Sequence, residues 1–381
     1  MPAQVNFVLA KVAEEQLSFA SSMAWTTPQY SRRKVDMAGE FFVNLPTTAK
    51  GRTIDADEII EALDVINNWR SSHSYPLQTL KMTLLKRAKR LDGNAVIAQR
   101  LKRLSSIAGK LQQERNQNMK LSQMQDIGGC RAVMSGVGQV ERLVYLYEKS
   151  IEKNPNDRPE FYKKYDYIKE PKPDGYRSVH YVYKYRTKAP DLMVYNGLRI
   201  EIQMRSQLQH AWATAVETVS TFTEQALKAG VGDERWRRFF ALMGSALAMR
   251  EKRPLVSGTP SDNTELIDEL KTLTHQLRIE ETLGGWSSAL QRIEKEAKDS
   301  YAFLLVLDSN KKEVQVTGFG RRQLGRAEEA YLVVEKETSD NPDVQAVLVS
   351  VDSVAALRSA YPNYYLDTSA FLDAVRLAIS D

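Results

Sequence analysis

LRIEIQMRS, residues 198–206, decides the fold class: Ile200, Ile202 and Met204 alternate with Glu201, Gln203 and Arg205. Period-2 alternation of this kind makes a strand with one apolar and one polar face. Two further stretches have the same β-branched and aromatic texture, CRAVM from Cys130 and SVHYVYKYRT from Ser178. Helical periodicity surrounds them. DADEIIEALDVINNWRSS from Asp55 places Ile59, Ile60, Leu63 and Ile66 near one face, and Pro76 opens LQTLKMTLLKRAKRL, which Asp92-Gly93 ends. A second basic helix is expected over AVIAQRLKRLSSIAGKLQQER from Ala95. A helix follows near Val140 to Lys153, then a loop with Pro155, Pro159, Pro171 and Pro173, and another helix starts around Leu208.

The expectation is an α/β (α+β) chain whose mixed sheet is flanked by helices, over residues 55–255, preceded by an N-terminal extension, 1–54. The run REKRPLVSGTPSDN reads as a linker that opens a helical bridge, 256–300. From Tyr301, YAFLLVLD, EVQVTGF, a helix over Arg326 to Lys336, VQAVLVSV and helical stretches flanking YPNYYLDTS read as a small C-terminal ββαβα module, 301–381.

Composition narrows the function classes. The chain has 381 residues, 43% of them hydrophobic, which supports packed domains of the usual ~100 to 200 residues. No apolar run approaches the ~20 residues that a membrane helix needs, and no secretory signal is seen, so a cytoplasmic protein without membrane partners is expected. With Cys130 as the one cysteine and four scattered histidines, structural zinc is not expected. Net charge is +5, but residues 81–120 carry eleven Lys/Arg against Asp92 and Glu114, a local +9. Residues 301–381 hold eight basic against twelve acidic groups. A basic middle suits a polyanion and an acidic tail suits a masking partner, although both patterns also fit solvated helix faces.

Four stretches carry candidate chemistry. In MQDIGGCRAVM, Asp126 stands at the mouth of a strand beside two glycines that allow close backbone approach. Glu201 on the polar face of the 198–206 strand supplies a second carboxylate, and two carboxylates plus phosphate oxygens suffice for Mg2+. Each acid alone also reads as a salt-bridged strand residue. Asp174-Gly175 forms a turn presenting Tyr176 among Lys172, Arg177 and His180, which suits a stacked base with its phosphates or a packed hairpin. Arg100, Lys102, Arg103 and Lys110, with Ser105 and Ser106, suit a triphosphate cradle or a basic amphipathic helix. A Gly-rich phosphate loop of the GxxxxGK[ST] type is absent from the sequence.

In this order the four stretches resemble the synthetase domain of the RelA/SpoT-type alarmone synthetases. R-x-K-x-x-x-S-I-x-x-K falls on Arg100 to Lys110, D-I-x-G-x-R on Asp126 to Arg131, DYI-x-x-PK-x-x-GYRS-x-H on Asp166 to His180, and E-I-Q-x-R on Glu201 to Arg205. The resemblance implies a nucleotidyltransferase-like fold and Mg2+-dependent transfer of the β,γ-pyrophosphate of ATP to a ribose 3′-hydroxyl, releasing AMP. It implies that Arg100 stacks on adenine and that Lys102 and Lys110 neutralise phosphates. Asp126 and Glu201 would hold the metal, with Glu201 accepting the 3′-OH proton. Tyr176 would stack on the acceptor base, while Arg131, Lys172, Arg177, His180, Gln203 and Arg205 would line the phosphate paths.

No His-Asp dipeptide of the hydrolase domain of the long family members is present. The sequences around LQHAWATAVETVSTF and SRRKVDMAGEFFVN resemble the toxic small alarmone synthetases, and the layout resembles the CapRel fused toxin–antitoxin type. That resemblance implies tRNA pyrophosphorylation at the 3′ CCA end and a C-terminal zinc-finger-like module without metal ligands. It also implies that Tyr361 and Tyr364 plug the ATP site until a phage protein, a major capsid protein in that group, binds the module. DNA is not an expected partner. Lys86, Arg87, Lys89 and Arg90 are the candidates for tRNA phosphates. The alternative is a (p)ppGpp synthetase acting on GDP or GTP, with a regulatory tail.

Overall fold

A computed structural model describes residues 25–48, 56–102, 104–113, 119–153, 159–222, 234–277, 279–280, 283, 302–308, 313–320, 323, 326, 330, 333–334, 344–350 and 368–380. Contacts divide the chain into two compact units, one of residues 1–165 and 179–206, the other of 166–178 and 207–381.

The first unit is built on a five-stranded mixed sheet in the order β1-β2-β5-β4-β3. Its strands are β1 (Val96–Leu101), β2 (Gly128–Met134), β3 (Glu160–Asp166), β4 (Val179–Lys184) and β5 (Arg199–Ser206). β2 and β5 run parallel, while β1 on β2 and β4 on β5 are antiparallel. Alternation sorts the side chains as expected. Cys130, Ala132, Met134, Tyr181, Ile200, Ile202 and Met204 are buried on one face, under Leu77, Leu80 and Leu84 of α3 (Ser74–Leu91) and Val140, Leu143 and Tyr147 of α5 (Val137–Lys153). Burial pushes the Cys130 thiol up to about 12, so it stays protonated and inert at neutral pH.

Helix α1 (Arg32–Thr48) belongs to this unit. Asp36 accepts from the Ser122 amide at 2.8 Å and the Ser122 hydroxyl at 3.0 Å, and Lys34 pairs with Glu61 of α2 (Ala56–Ser72) at 2.7 Å.

Two expectations are corrected. Residues 96–101, read as the start of a basic helix, form β1, and helix α4 spans only Leu104–Gln112. A short apolar run does not distinguish helix from strand by itself, and the ladder with β2 from Val96↔Val133 to Leu101↔Gly128 decides it. The Pro-rich stretch read as a loop contains the edge strand β3, whose side chains 160–166 pair beside β4 and escape proline altogether.

In the second unit, α6 (Gln207–Phe222), α7 (Glu234–Glu251), α8 (Asn263–Gln276) and α9 (Ser369–Ser380) share one apolar core. α7 is apolar nearly all round, as a helix enclosed by others must be. Phe371 of α9 lies 5.8 Å from Phe240, and Asp262 caps α8 by accepting from the Thr264 and Glu265 amides. The last helix of the chain is therefore part of this core. The unit also holds an antiparallel three-stranded sheet, β7-β6-β8, of β6 (Ala302–Asp308), β7 (Glu313–Phe319) and β8 (Val344–Ser350). These are the three strands expected for the C-terminal module. Most of the helix expected over Arg326 to Lys336, and Tyr361 and Tyr364, lie outside the described residues.

Candidate active site

Strand register brings five of the predicted residues, Arg100, Arg131, His180, Glu201 and Gln203, onto one face of the sheet. Arg100 pairs with Gly129, Gly129 with Glu201, Arg131 with Gln203, and Gln203 with His180. The absent Cβ at Gly129 leaves open space between Arg100 and Glu201, since a Cβ there would meet nothing nearer than the Glu201 carbonyl at 3.8 Å. Gly128, one residue earlier, faces the helices instead. A Cβ there would lie 2.8 Å from Ile200 Cδ1 and 3.3 Å from His73 Cβ, so a larger residue would have to push the Ile200 side chain aside.

Two carboxylates anchor this face. Asp126, just before β2, accepts from Lys102 Nζ and Lys110 Nζ at 2.9 Å each. Burial would raise its carboxyl, but the two ammonium groups outweigh that and hold it at about 2. The Lys102 amide also donates to the Ile127 carbonyl at 2.7 Å, which fixes the β1–α4 junction beside Asp126. Glu201 accepts from Gln203 Nε2 at 2.6 Å and lies 2.9 Å from His180 Nδ1. Burial pushes its carboxyl up, His180 and Gln203 pull it down, and the balance lies below the ordinary range, with the Asp126 charge opposing.

That the two acids feel each other's charge defines what they suit. The pair supplies hard oxygen donors, one from the segment just before β2 and one from β5, with Lys102 and Lys110 in contact with the first. This donor set fits Mg2+, which takes one or two carboxylates and fills its remaining positions with water and phosphate. Among the described residues no group of three His, Cys, Asp or Glu is gathered.

Arg205 continues the polar side of β5 but is buried, at 4% exposure. Lys172, Tyr176 and Arg177 belong to the second unit. There Lys172 Nζ lies 4.5 Å from the Tyr167 ring centroid and 5.0 Å from that of Tyr176, and Tyr176 meets Trp212 edge-on at 6.3 Å. The turn that presents Tyr176 needs Gly175, whose φ is +94° and whose Cβ would lie 2.7 Å from the Phe240 carbonyl oxygen. Arg177 is only 3% exposed. Its guanidinium donates to the carbonyls of Gly244 at 3.3 Å, Ile168 at 3.3 Å and Pro254 at 2.6 Å. Burial lowers it to about 10, still charged at neutral pH. This arginine ties the turn to α7 and the segment after it.

The candidates for tRNA phosphates sit on α3, on the opposite side of the sheet from Glu201. Arg87 lies 4.4 Å over the Tyr147 ring and donates to Ser150 Oγ at 3.1 Å, riveting α3 to α5. Lys89 donates to the Gly93 carbonyl at 2.8 Å at the end of the helix, while Lys86 and Arg90 are exposed. Three residues that sequence reasoning missed share the face of Glu201: Tyr162, Lys184 and Arg199, with Lys184 paired opposite Arg199. The signal for Arg199 was present, because it continues the alternation of Glu201 and Gln203.

Among the described residues no helix is long and apolar enough to cross a membrane. No curated protein matches the chain. Three solved structures show the range of structural likeness. Small alarmone synthetase 1 from Bacillus subtilis, bound to its product pppGpp, is 20% identical with a TM-score of 0.39, over 47% of this chain and 89% of that one. A GTP pyrophosphokinase family protein from Streptococcus pneumoniae is 21% identical, TM-score 0.37, over 47% and 85%. Small alarmone synthetase 2 from Bacillus subtilis is 22% identical, TM-score 0.34, over 40% and 79%. Residues 99–226, which carry Asp126 and Glu201 and every motif between them, match the family described as the region found in RelA / SpoT proteins.

Proposed function

We propose that the chain is an autoinhibited pyrophosphokinase that moves the β,γ-pyrophosphate of ATP to the 3′-hydroxyl of the tRNA CCA end and thereby blocks translation. The observation that carries the reaction class is the pair of held carboxylates, Asp126 with Lys102 and Lys110, and Glu201 with His180 and Gln203, inside a RelA/SpoT-type region. Mg2+ held by Asp126 and Glu201 would neutralise phosphate charge as it builds up on transfer.

The chain's own groups account for the rest. Lys102 and Lys110 can exchange Asp126 for donor phosphates, and Arg100 offers a guanidinium plane on which adenine can stack. The acceptor 3′-oxygen attacks the β-phosphorus, the bond to the α,β-bridging oxygen breaks, AMP leaves, and the 3′-OH proton passes to Glu201. Gln203 and His180 fix the Glu201 carboxylate so that it is aimed before substrate arrives. No covalent intermediate on the protein is needed.

The regulatory part follows from likeness and charge. Residues 301–381 are acidic, the three-stranded sheet suits a metal-free zinc-finger-like module, and Tyr361 and Tyr364 can occupy an adenine site by stacking on arginine. Release by a phage capsid protein binding this module completes the reading. Synthesis of (p)ppGpp from GDP or GTP uses the same residues and is the second reading.

The test uses the full chain, because removing residues 301–381 would strip Phe371, Leu372 and Val375 from the core of the second unit. The Tyr361→Ala/Tyr364→Ala variant is given γ-labelled ATP and Mg2+ with deacylated tRNA in one reaction and GDP plus GTP in another. Label on the tRNA 3′ end, stronger than in the unaltered chain, is expected. Label on guanosine nucleotides alone would replace the tRNA reading, and equal activity in both proteins would remove the tyrosine plug.

A further inference from the structure

Beside the acidic pair, toward the edge of the same sheet face, lies a cluster that none of the family motifs touches. Tyr162 of the edge strand β3 is 39% exposed. Lys184 Nζ lies 4.4 Å and the Arg199 guanidinium 4.8 Å from its ring centroid. Glu160 is the acid in contact with this group, accepting from Lys184 at 3.2 Å and from Arg186 at 2.8 Å. Arg199 also donates to the Gln123 carbonyl. Lys184 and Arg199 thus flank an accessible aromatic ring, Lys184 and Arg186 share the one carboxylate, and three cations against one acid leave the cluster with a net positive charge.

Its position gives it meaning. Arg199 stands two residues before Glu201 on β5, on the same face and about 7 Å away along the strand. Lys184 is the register partner of Arg199, and Val182 that of Glu201. A strand of nucleic acid whose end reaches Glu201 has this platform next in its path. The ring and the guanidinium plane offer stacking for a base, and the cations offer charge to the phosphates that flank it, the combination by which single strands are held without sequence reading. The basic residues of α3, by contrast, lie behind the sheet.

We infer that Tyr162, Lys184 and Arg199, with Arg186, form a binding site for single-stranded RNA next to the reaction centre, receiving the nucleotides that precede the acceptor. A stacked base with a phosphate could also belong to a free nucleotide. The commitment here is to RNA, on the charge surplus and on the continuity with Glu201. The inference rests on the RNA-acceptor reading for its purpose, but not for its test.

The test is equilibrium binding to the full chain without ATP, by fluorescence anisotropy, using a labelled single-stranded RNA hexamer ending in CCA and, separately, a fluorescent GDP analogue. Tyr162→Ala and Tyr162→Ile should each weaken RNA binding about tenfold, while Tyr162→Phe keeps it within about twofold. Ile preserves an extended edge strand, so a loss shared by both variants is loss of the ring and not of the fold. Lys184→Gln should flatten the slope of log affinity against log salt by about 0.7. RNA binding that is absent or indifferent to all four substitutions overturns the inference. So does ring-dependent binding of the GDP analogue alone, which would make this a mononucleotide site. Transfer of label from ATP is read in parallel. Should label reach only GDP while ring-dependent RNA binding persists, the acceptor reading falls and the RNA site stands.

Discussion

The polar face of β5 and the turn at residues 172–178 both carry charged motif residues, and they hold them in opposite ways. On β5, Glu201 and Gln203 find their partners in other side chains, with His180 from the neighbouring strand. Such contacts can be exchanged for substrate at little structural cost. In the turn, the guanidinium of Arg177 is sealed from water and ends on three backbone carbonyls, and Gly175 presses against the backbone of α7. The Arg177 contacts cannot be exchanged without breaking the packing. A motif is thus a mixture: some of its letters do chemistry, and others hold the segment that presents them.

The sharpest break between the two regions comes from Glu201→Gln. It should lower pyrophosphate transfer by a factor of about 10³ or more while leaving the thermal midpoint nearly unchanged, because Gln fills the same volume and still accepts from Gln203. Arg177→Gln should do the reverse. Leaving buried carbonyls without a donor should cost about 3 to 4 kcal/mol, read as a drop in the denaturant midpoint. A folded, inactive Arg177→Gln protein would place that residue with the chemistry and dissolve the contrast.

A third prediction concerns the covered side of the sheet. His73 is buried against Gly128, with Nδ1 2.7 Å from the Trp69 carbonyl, and burial lowers its pKa from 6.5 to about 4. The unfolded chain takes up the proton first as pH falls. The contribution of His73 is therefore whole above pH 6.5 and is lost progressively toward pH 4, by about 2 kcal/mol between pH 6.5 and about 5. Thermal unfolding across that range should show the loss, and His73→Gln should remove most of the slope.

Much of this was legible in the sequence for a physical reason: period-2 alternation in LRIEIQMRS and the helical spacing of residues 55–91 report burial directly, and burial is what the fold is made of. The three central strands and the paired acids follow from it. β1 was not legible, because Val96 to Leu101 has no helical or strand period of its own and becomes a strand only by pairing with β2. β3 was hidden because prolines on both sides disguise the seven residues between them. The surroundings of Arg177 were not legible for a different reason: a cation in such a motif looks the same whether it faces solvent or three carbonyls. Tyr162 was invisible because its significance depends on Lys184 and Arg199, which chain distance separates from it.

The parallel pairing of β2 on β5 has a consequence for how the chain comes into being. That pairing brings the segment after Asp126 beside the strand of Glu201, and parallel neighbours require a long crossover, here everything from Ser135 to Leu198. A nascent chain emerging in order therefore carries Asp126 long before it carries the partner that completes the centre, and closing so distant a contact is slow. An enzyme whose proposed target is tRNA is made on the machine it would stop. On that reading the centre could not be completed until β5 has left the ribosome, so the nascent chain would be inactive until then.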